Sequence, residues 1–193
     1  MKIVYIITRS DVLGGASVHL LDLAKGMIEK GHQVHILVGG TGAFTEALDK
    51  NNIDYTSLIH LKRELSIQDE VLGYFEIRKQ LKRLNPDIVH CHSTKAGLLG
   101  RLAAKSLNIP VVFTAHGWAF TDGVGNRRQK VYAKLESILS KISDGVITVS
   151  EFDRQYGFKY NVGSPELVTT IHNGVPDIER FTKHTRNPVP KLI

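Results

Sequence analysis

Apolar residues recur along the chain in two rhythms. Short, nearly unbroken runs alternate with longer stretches whose apolar positions return every three or four residues. The runs are "KIVYIIT" (2–8), "QVHILVG" (33–39), "DYTSLI" (54–59), "DIVHCHS" (87–93), "IPVVFTAHG" (109–117), "DGVITVS" (144–150) and "ELVTTIHNG" (166–174). Continuous apolar runs of this length predict strands buried on both faces. The stretches between them predict helices over 15–31, 43–52, 66–84, 94–108, 126–143 and 151–160. In the first, Val18, Leu21, Ala24, Met27 and Ile28 form the apolar stripe, and Gly31 closes the helix. In the third, Ser66 followed by Asp69 gives a capped start, and Ile67, Val71, Tyr74, Phe75, Ile77, Leu81 and Leu84 form the stripe. Gly97 and Gly100 in the fourth allow a close approach to a sheet.

Strands separated by helices require crossover connections, hence a parallel sheet. The expected fold is α/β: a doubly wound, mostly parallel sheet of about seven strands with helices on both faces, one Rossmann-like lobe. Ligands of such folds sit outside the carboxyl ends of the strands. That rule places the Gly14–Gly15 loop, Ser93, His116, Ser150 and Asn173 along one rim. Residues 1–174 make this domain. Residues 175–193 carry three prolines and scattered charge and read as a linker. They end in "KLI", which resembles the start of another buried strand, so a C-terminal domain is expected to follow.

A length of 193 residues favours one domain, and 42% hydrophobic with 23% charged residues is ordinary for a soluble globular protein. No apolar run approaches the ~20 residues that cross a bilayer, and "MKIVYIIT" leads into a polar turn rather than a signal-peptide cleavage site. The expected location is cytoplasmic. The single cysteine, Cys91, excludes an internal disulfide. It sits in "HCHS", a metal-like string. In a strand, however, His90 and His92 share one face and Cys91 takes the other, so no metal site is expected there. The net charge of +6 fits an anionic partner. It is scattered, densest at Arg78, Lys79, Lys82 and Arg83 on one helix. No nucleic-acid module or aromatic–basic interleaving accompanies it. A peripheral contact with an anionic membrane surface suits it better.

Chemistry is sparse. "TRSDVLGGASVHL" (8–20) lacks the G-x-G-x-x-G of dinucleotide folds. Adjacent glycines before a helix still present backbone N–H groups at a positive helix end, which suits phosphate; a plain turn has the same look. His116 follows an apolar strand and precedes a glycine, at the ligand-facing rim, where it can donate or accept a proton or be held by the backbone. No G-x-S-x-G, reactive-cysteine or H-E-x-x-H pattern accompanies it. Ser150 and Glu151 stand where a helix starts, and capping alone accounts for both. Asn173 and Gly174 follow a strand and read equally as a turn. Trp118 and Phe120 read as packing residues.

Taken in order, the "GG" loop, "DIVHCHSTKAGLLGRLAAK", "PVVFTAHGWAF", a basic helix, "DGVITVSE" and "VTTIHNGV" resemble the N-terminal lobe of the family 4 (group 1) retaining glycosyltransferases of capsule, exopolysaccharide and lipopolysaccharide assembly. The resemblance runs from about residue 1 to 180. It implies two Rossmann-like lobes facing across a cleft, the GT-B type, with a nucleotide-diphosphate sugar as donor, a carbohydrate or lipid-linked acceptor, and no cofactor or metal. It implies that Gly14 and Gly15 lie near the donor diphosphate and that His116 reaches a hydroxyl of the transferred sugar. Ser150 and Glu151, with Ser93 and Thr94, would line the acceptor side, and Asn173 and Gly174 would shape the cleft near the donor. The paired glutamates and diphosphate-clamping cations of the family's C-terminal lobe have no counterpart in these 193 residues. The chain alone is therefore expected not to catalyse transfer. Two other classes compete: a stand-alone nucleotide- or sugar-binding module, and an NAD-dependent oxidoreductase, which the missing fingerprint disfavours.

Overall fold

The structure, a computed structural model, describes residues 1–64 and 66–174. The expected linker at 175–193 lies outside them. In chain order the elements are β1 (Lys2–Ile7), α1 (Gly15–Glu29), β2 (Gln33–Gly39), α2 (Ala43–Lys50), β3 (Tyr55–Leu58), α3 (Ile67–Leu84), β4 (Ile88–His92), α4 (Thr94–Lys105), β5 (Val111–Ala115), α5 (Asn126–Ser140), β6 (Gly145–Thr148), α6 (Glu151–Lys159) and β7 (Val168–Thr170). All strand pairings are parallel, in the order β3-β2-β1-β4-β5-β6-β7. The direction of winding reverses between β1 and β4. The crevice outside the carboxyl ends of these two strands is where such sheets bind ligands.

Alternation along β1 feeds two cores. Ile3, Tyr5 and Ile7 pack with Leu20 and Ala24 of α1 and Phe44 and Leu48 of α2. Val4 and Ile6 pack with Ile77 of α3, Ala96 and Ala103 of α4 and Ala133 of α5. Right-handed crossovers account for this division. Winding one way from β1 through β2 to β3 puts α1 and α2 on one face. Winding the other way puts α3 to α6 on the opposite face. On the α1 face, β4 to β6 are therefore left without a helix of their own among the described residues. Ile88, His90, Val112 and Ile147 are only half-buried there and line an apolar hollow of about 360 Å³.

On the opposite face α4 lies unusually close to the sheet. A Cβ at Gly97 would stand 2.6 Å from the Phe113 ring, and one at Gly100 would stand 2.5 Å from Cys91 Sγ. Close approach buries even Arg101, which is fully inaccessible. Its Nη2 donates to Glu136 Oε2 of α5 at 2.7 Å, its Nε donates to Gly97 O at 2.7 Å, and its guanidinium lies 4.2 Å from the centre of the Phe113 ring.

Two apolar stripes differ from expectation. In α1 the buried positions are Ser17, Leu20 and Ala24, whereas Val18 and Ile28 are exposed. In α3 the buried positions are Gly73, Ile77 and Leu81, whereas Ile67, Val71 and Phe75 are exposed, Ile67 to 86%. A glycine is the reason in α3. The missing side chain at Gly73 lets the helix settle on the His60 carbonyl, so a position with no hydrophobic signal faces inward. The fifth and seventh strands are also shorter than the apolar runs that announced them: each run continues into the rim, where pairing has ended.

Candidate functional site

The switch point is held shut by a hydroxyl pair. Thr8, just past β1, and Ser93, just past β4, share a hydrogen bond of 2.7 Å between their hydroxyls. Thr8 N donates to Ser93 Oγ at 3.3 Å, and Ala96 N at the start of α4 donates to Thr8 Oγ1 at 3.1 Å. Ser93 itself has φ 72° and ψ 151°, a region that side-chain-bearing residues rarely enter. Such a conformation costs on the order of 1–3 kcal/mol and persists where surrounding contacts over-determine it, commonly at functional sites.

Beside this clamp lies a hollow of about 200 Å³ lined by Ile7, Arg9, Val12, Gly14, Gly15, Ala16, Ser17 and Ser93. Gly14 N donates to Ser17 Oγ at 2.9 Å, which fixes the turn. The first-turn amides of a helix have no acceptor within it, so those of Gly15 and Ala16 are available to a ligand. Neither position is held to glycine by crowding. Gly14 has φ −96°, and a Cβ on either residue would meet nothing within 4 Å. The open space in front of these two residues has the shape of a site that admits a ligand against bare backbone.

One turn further along α1, His19 reaches the second part of the rim. Its ring centre lies 5.1 Å from that of His116 and 6.0 Å from that of His92. β5 ends at Ala115 and delivers His116 there, and Gly117, at φ +111°, turns the chain away. His92 Nδ1 and His116 Nε2 are 3.0 Å apart. His92 is fully buried, and its Nε2 has no hydrogen-bond partner among the described residues. A buried N–H without an acceptor is costlier than an unshared lone pair. The proton of His92 therefore belongs on Nδ1, donated to His116 Nε2. The proton of neutral His116 then belongs on Nδ1. Burial, reinforced by the neighbouring His19, pulls the pKa of His116 down to about 4. Burial likewise lowers His90 to about 3, and lowers His92 and His19 below their ordinary range. Near neutral pH, His116 is thus a hydrogen-bonding group rather than a cation.

The remaining expected site residues are distributed around this centre. Gly14, Gly15 and Ser93 share one hollow. Asn173 lines the apolar hollow with His19 and His90, and Gly174 borders a neighbouring cleft of about 460 Å³ with His19 and Asp22. Thr94 opens onto the other side of α4, in a cleft of about 880 Å³ lined also by Arg63, Lys95, Arg128 and Tyr132. Ser150 and Glu151 stand at the start of α6, and their hydrogen bonds serve the fold there. Ser150 Oγ accepts from Asp153 N at 3.0 Å, and Glu151 accepts from Thr170 Oγ1 at 2.8 Å and from Gln155 Nε2 at 2.7 Å. Cys91 points into the α4 core, away from His90 and His92, and burial raises its thiol to about 12. Trp118 and Phe120 are buried in that same core.

His19 and Arg101 escaped the sequence reading. His19 sits between Val18 and Leu20 and looks like one more residue of a helix surface. Its spacing after Gly15 was a usable signal, because one turn of helix places it over the rim that Gly15 opens. Nothing in the sequence distinguished Arg101 from a solvated helix cation.

A seven-stranded parallel lobe with a glycine loop at its switch point is the architecture of the GT-B glycosyltransferase N-terminal lobe. The family described as Glycosyltransferase Family 4 matches residues 13–179, and the chain belongs to it. The Escherichia coli UDP-Gal:alpha-D-GlcNAc-diphosphoundecaprenol alpha-1,3-galactosyltransferase is 32% identical over 149 residues, which are 77% of this chain and 38% of that protein. The O-antigen biosynthesis glycosyltransferase WbnH of Escherichia coli is 24% identical over 177 residues, 91% of this chain and 49% of that protein. The crystal structure of Anabaena HepE in complex with UDP superimposes with a TM-score of 0.73 at 20% identity, covering 91% of this chain and 44% of HepE. The chain thus spans less than half the length of each of these relatives.

Proposed function

We propose that this chain is the acceptor-side lobe of a retaining glycosyltransferase that moves a sugar from a nucleoside-diphosphate sugar to a lipid-linked acceptor in envelope polysaccharide synthesis. The observation that carries the reading is the convergence, at one rim, of the available first-turn amides of Gly15 and Ala16, the strained Ser93 and the neutral His116. The Escherichia coli relative's name gives UDP-Gal as donor and a diphosphoundecaprenol-linked sugar as acceptor, and HepE was crystallised with UDP.

In this reading the α1 amides face the donor diphosphate. Charge grows on that group as the glycosidic bond breaks, and fixed N–H dipoles stabilise it without reorganising. His116 donates its Nδ1 proton to a hydroxyl of the sugar and holds the anomeric carbon in line with the acceptor. His92 locks its tautomer. With retention, the departing phosphate takes the acceptor proton, so no strong protein base is called for. Asn173 and Gly174 shape the donor side. Thr94 marks the acceptor side: Arg63 and Arg128 line the larger cleft, where Lys95 is paired with Glu70 at 2.6 Å, and the two arginines suit an acceptor diphosphate. Ser150 and Glu151 contribute by fixing the start of α6. Further diphosphate contacts come from a second lobe, so the 193-residue chain alone turns over no donor.

The exposed face of α3 supports a peripheral membrane contact. Ile67, Val71 and Phe75 recur one turn apart, all exposed, and Arg78, Lys79 and Lys82 continue the same helix. An apolar stripe beside basic residues is the signature of an interfacial helix. No helix among the described residues is long and apolar enough to cross a membrane.

The test is His116→Ala in the full-length enzyme. Turnover should fall by well over tenfold with the melting temperature unchanged; an unchanged rate would reduce His116 to a structural role.

A further inference from the structure

The rim holds more histidine than hydrogen bonding of one sugar requires. His19 from α1, His92 from the end of β4 and His116 from the end of β5 each offer a ring nitrogen, and these three nitrogens all lie within 4.8 Å of one another. Ligand nitrogens on one Zn²⁺, each about 2.0–2.1 Å from the ion, stand roughly 3.3 Å apart. His92 Nδ1 and His116 Nε2 already meet that spacing at 3.0 Å. Only His19 has to close in, and it is half-buried on the first turns of a helix with the cleft of about 460 Å³ beside it.

The geometry points to a divalent transition-metal site, Zn²⁺ in the first instance, formed by His19, His92 and His116 with a fourth position open to solvent. Three imidazoles and one open position form a ligand set that zinc accepts, and imidazole nitrogen suits zinc, nickel and copper rather than magnesium or calcium. His19 comes from α1, His92 from the end of β4 and His116 from the bend just after β5, so three separate parts of the fold build the triangle. With Nδ1 on the ion the proton of His92 moves to Nε2, which has no acceptor among the described residues, a cost that the metal bond has to offset. Asp22, one turn beyond His19, lines the same cleft and adds a carboxylate next to the ion's open side. The "HCHS" string had been set aside because its neighbouring residues point apart. The fold instead takes one histidine from it and adds two from elsewhere. An ion on His116 Nε2 would leave its Nδ1 proton for the sugar hydroxyl. The metal claim itself does not depend on the transferase reading.

The test uses the untagged 193-residue chain, stripped with chelator and titrated with Zn²⁺ by calorimetry, then with Co²⁺ followed by visible absorption. One equivalent should bind. Affinity should fall at least tenfold in His19→Ala and in His116→Ala, and remain unchanged in His35→Ala and His172→Ala. Bound Co²⁺ should show the intense visible bands of a tetrahedral site in the unaltered chain and lose them in His19→Ala. No saturable uptake, or uptake that survives both triad variants, would overturn the site. Loss of uptake in His35→Ala to the same degree would also overturn it.

Discussion

Two glycine pairs in this lobe look alike in the sequence and do opposite things. Gly97 and Gly100 are crowded: any side chain there would drive into the Phe113 ring or Cys91 Sγ. Gly14 and Gly15 are empty-handed: nothing in the protein stands within 4 Å of where their side chains would be. The first pair serves the core, letting α4 lie flat on β4 and β5. The second pair is not held to glycine by crowding, and a ligand approaching the α1 amides is the reason proposed for it. Emptiness alone does not mark a ligand site, since Gly26, further along α1, is equally uncrowded.

The crowded side should give the largest effects. Arg101 and Glu136 form a fully buried ion pair made possible by the close seat of α4, and burial pushes Glu136 upward while Arg101 opposes it. Removing one partner strands a buried charge, which typically costs about 3–5 kcal/mol. Glu136→Ala should therefore destabilise the lobe by that order in urea denaturation. A double replacement of Arg101 and Glu136 by apolar residues should recover much of the loss. Equal losses in the single and double variants would mean that packing, not charge, dominates at this place.

Gly100→Ala and Gly97→Ala come next. Each inserts a methyl against a contact under 3 Å, and such overpacking typically costs about 1–3 kcal/mol. Denaturant midpoints would show it. A neutral result for both would remove the crowded half of the comparison.

A smaller, pH-linked effect belongs to the rim. His90 and His92 have folded pKa values depressed below the ordinary 6.5, so above that pH neither state binds an extra proton and their contribution is intact. As pH falls below 6.5 the unfolded chain takes up protons that the folded chain refuses. Stability is then lost progressively down through the depressed folded values. Each histidine whose folded pKa is depressed contributes a slope of up to about 1.4 kcal/mol per pH unit. With chelator present, the melting temperature should fall between pH 6.5 and 4, and fall less steeply in His90→Gln. A flat profile would show that these rings titrate normally.

The sequence made the parallel sheet and its rim legible for a simple reason: buried parallel strands are written as unbroken apolar runs, and the rule that ligands sit outside the carboxyl ends then orients every strand end, whereas the order of the strands comes from the structure. His116 was found that way, as the residue after Ala115. What stayed hidden depended on distances between elements. His19 acquires a role only when the ends of β4 and β5 are set beside α1. Arg101 is buried only because Gly97 and Gly100 draw its helix inward. The inward face of α3 was misread because Gly73, which contacts a backbone carbonyl, carries no hydrophobic signal, while Ile67, Val71 and Phe75, which carry a strong one, face outward.

The measurement that bears most directly on the central claim is Gly15→Ala in the full-length enzyme, read for both stability and donor affinity. Alanine fits the helix better than glycine by up to about 1 kcal/mol and meets no neighbour here, so the melting temperature should hold or rise slightly. Affinity for the nucleoside-diphosphate sugar should nonetheless weaken by tenfold or more, because the new methyl occupies the space in front of the α1 amides. An unchanged dissociation constant in a folded Gly15→Ala enzyme would contradict the account: the open space at the switch point would then hold no donor.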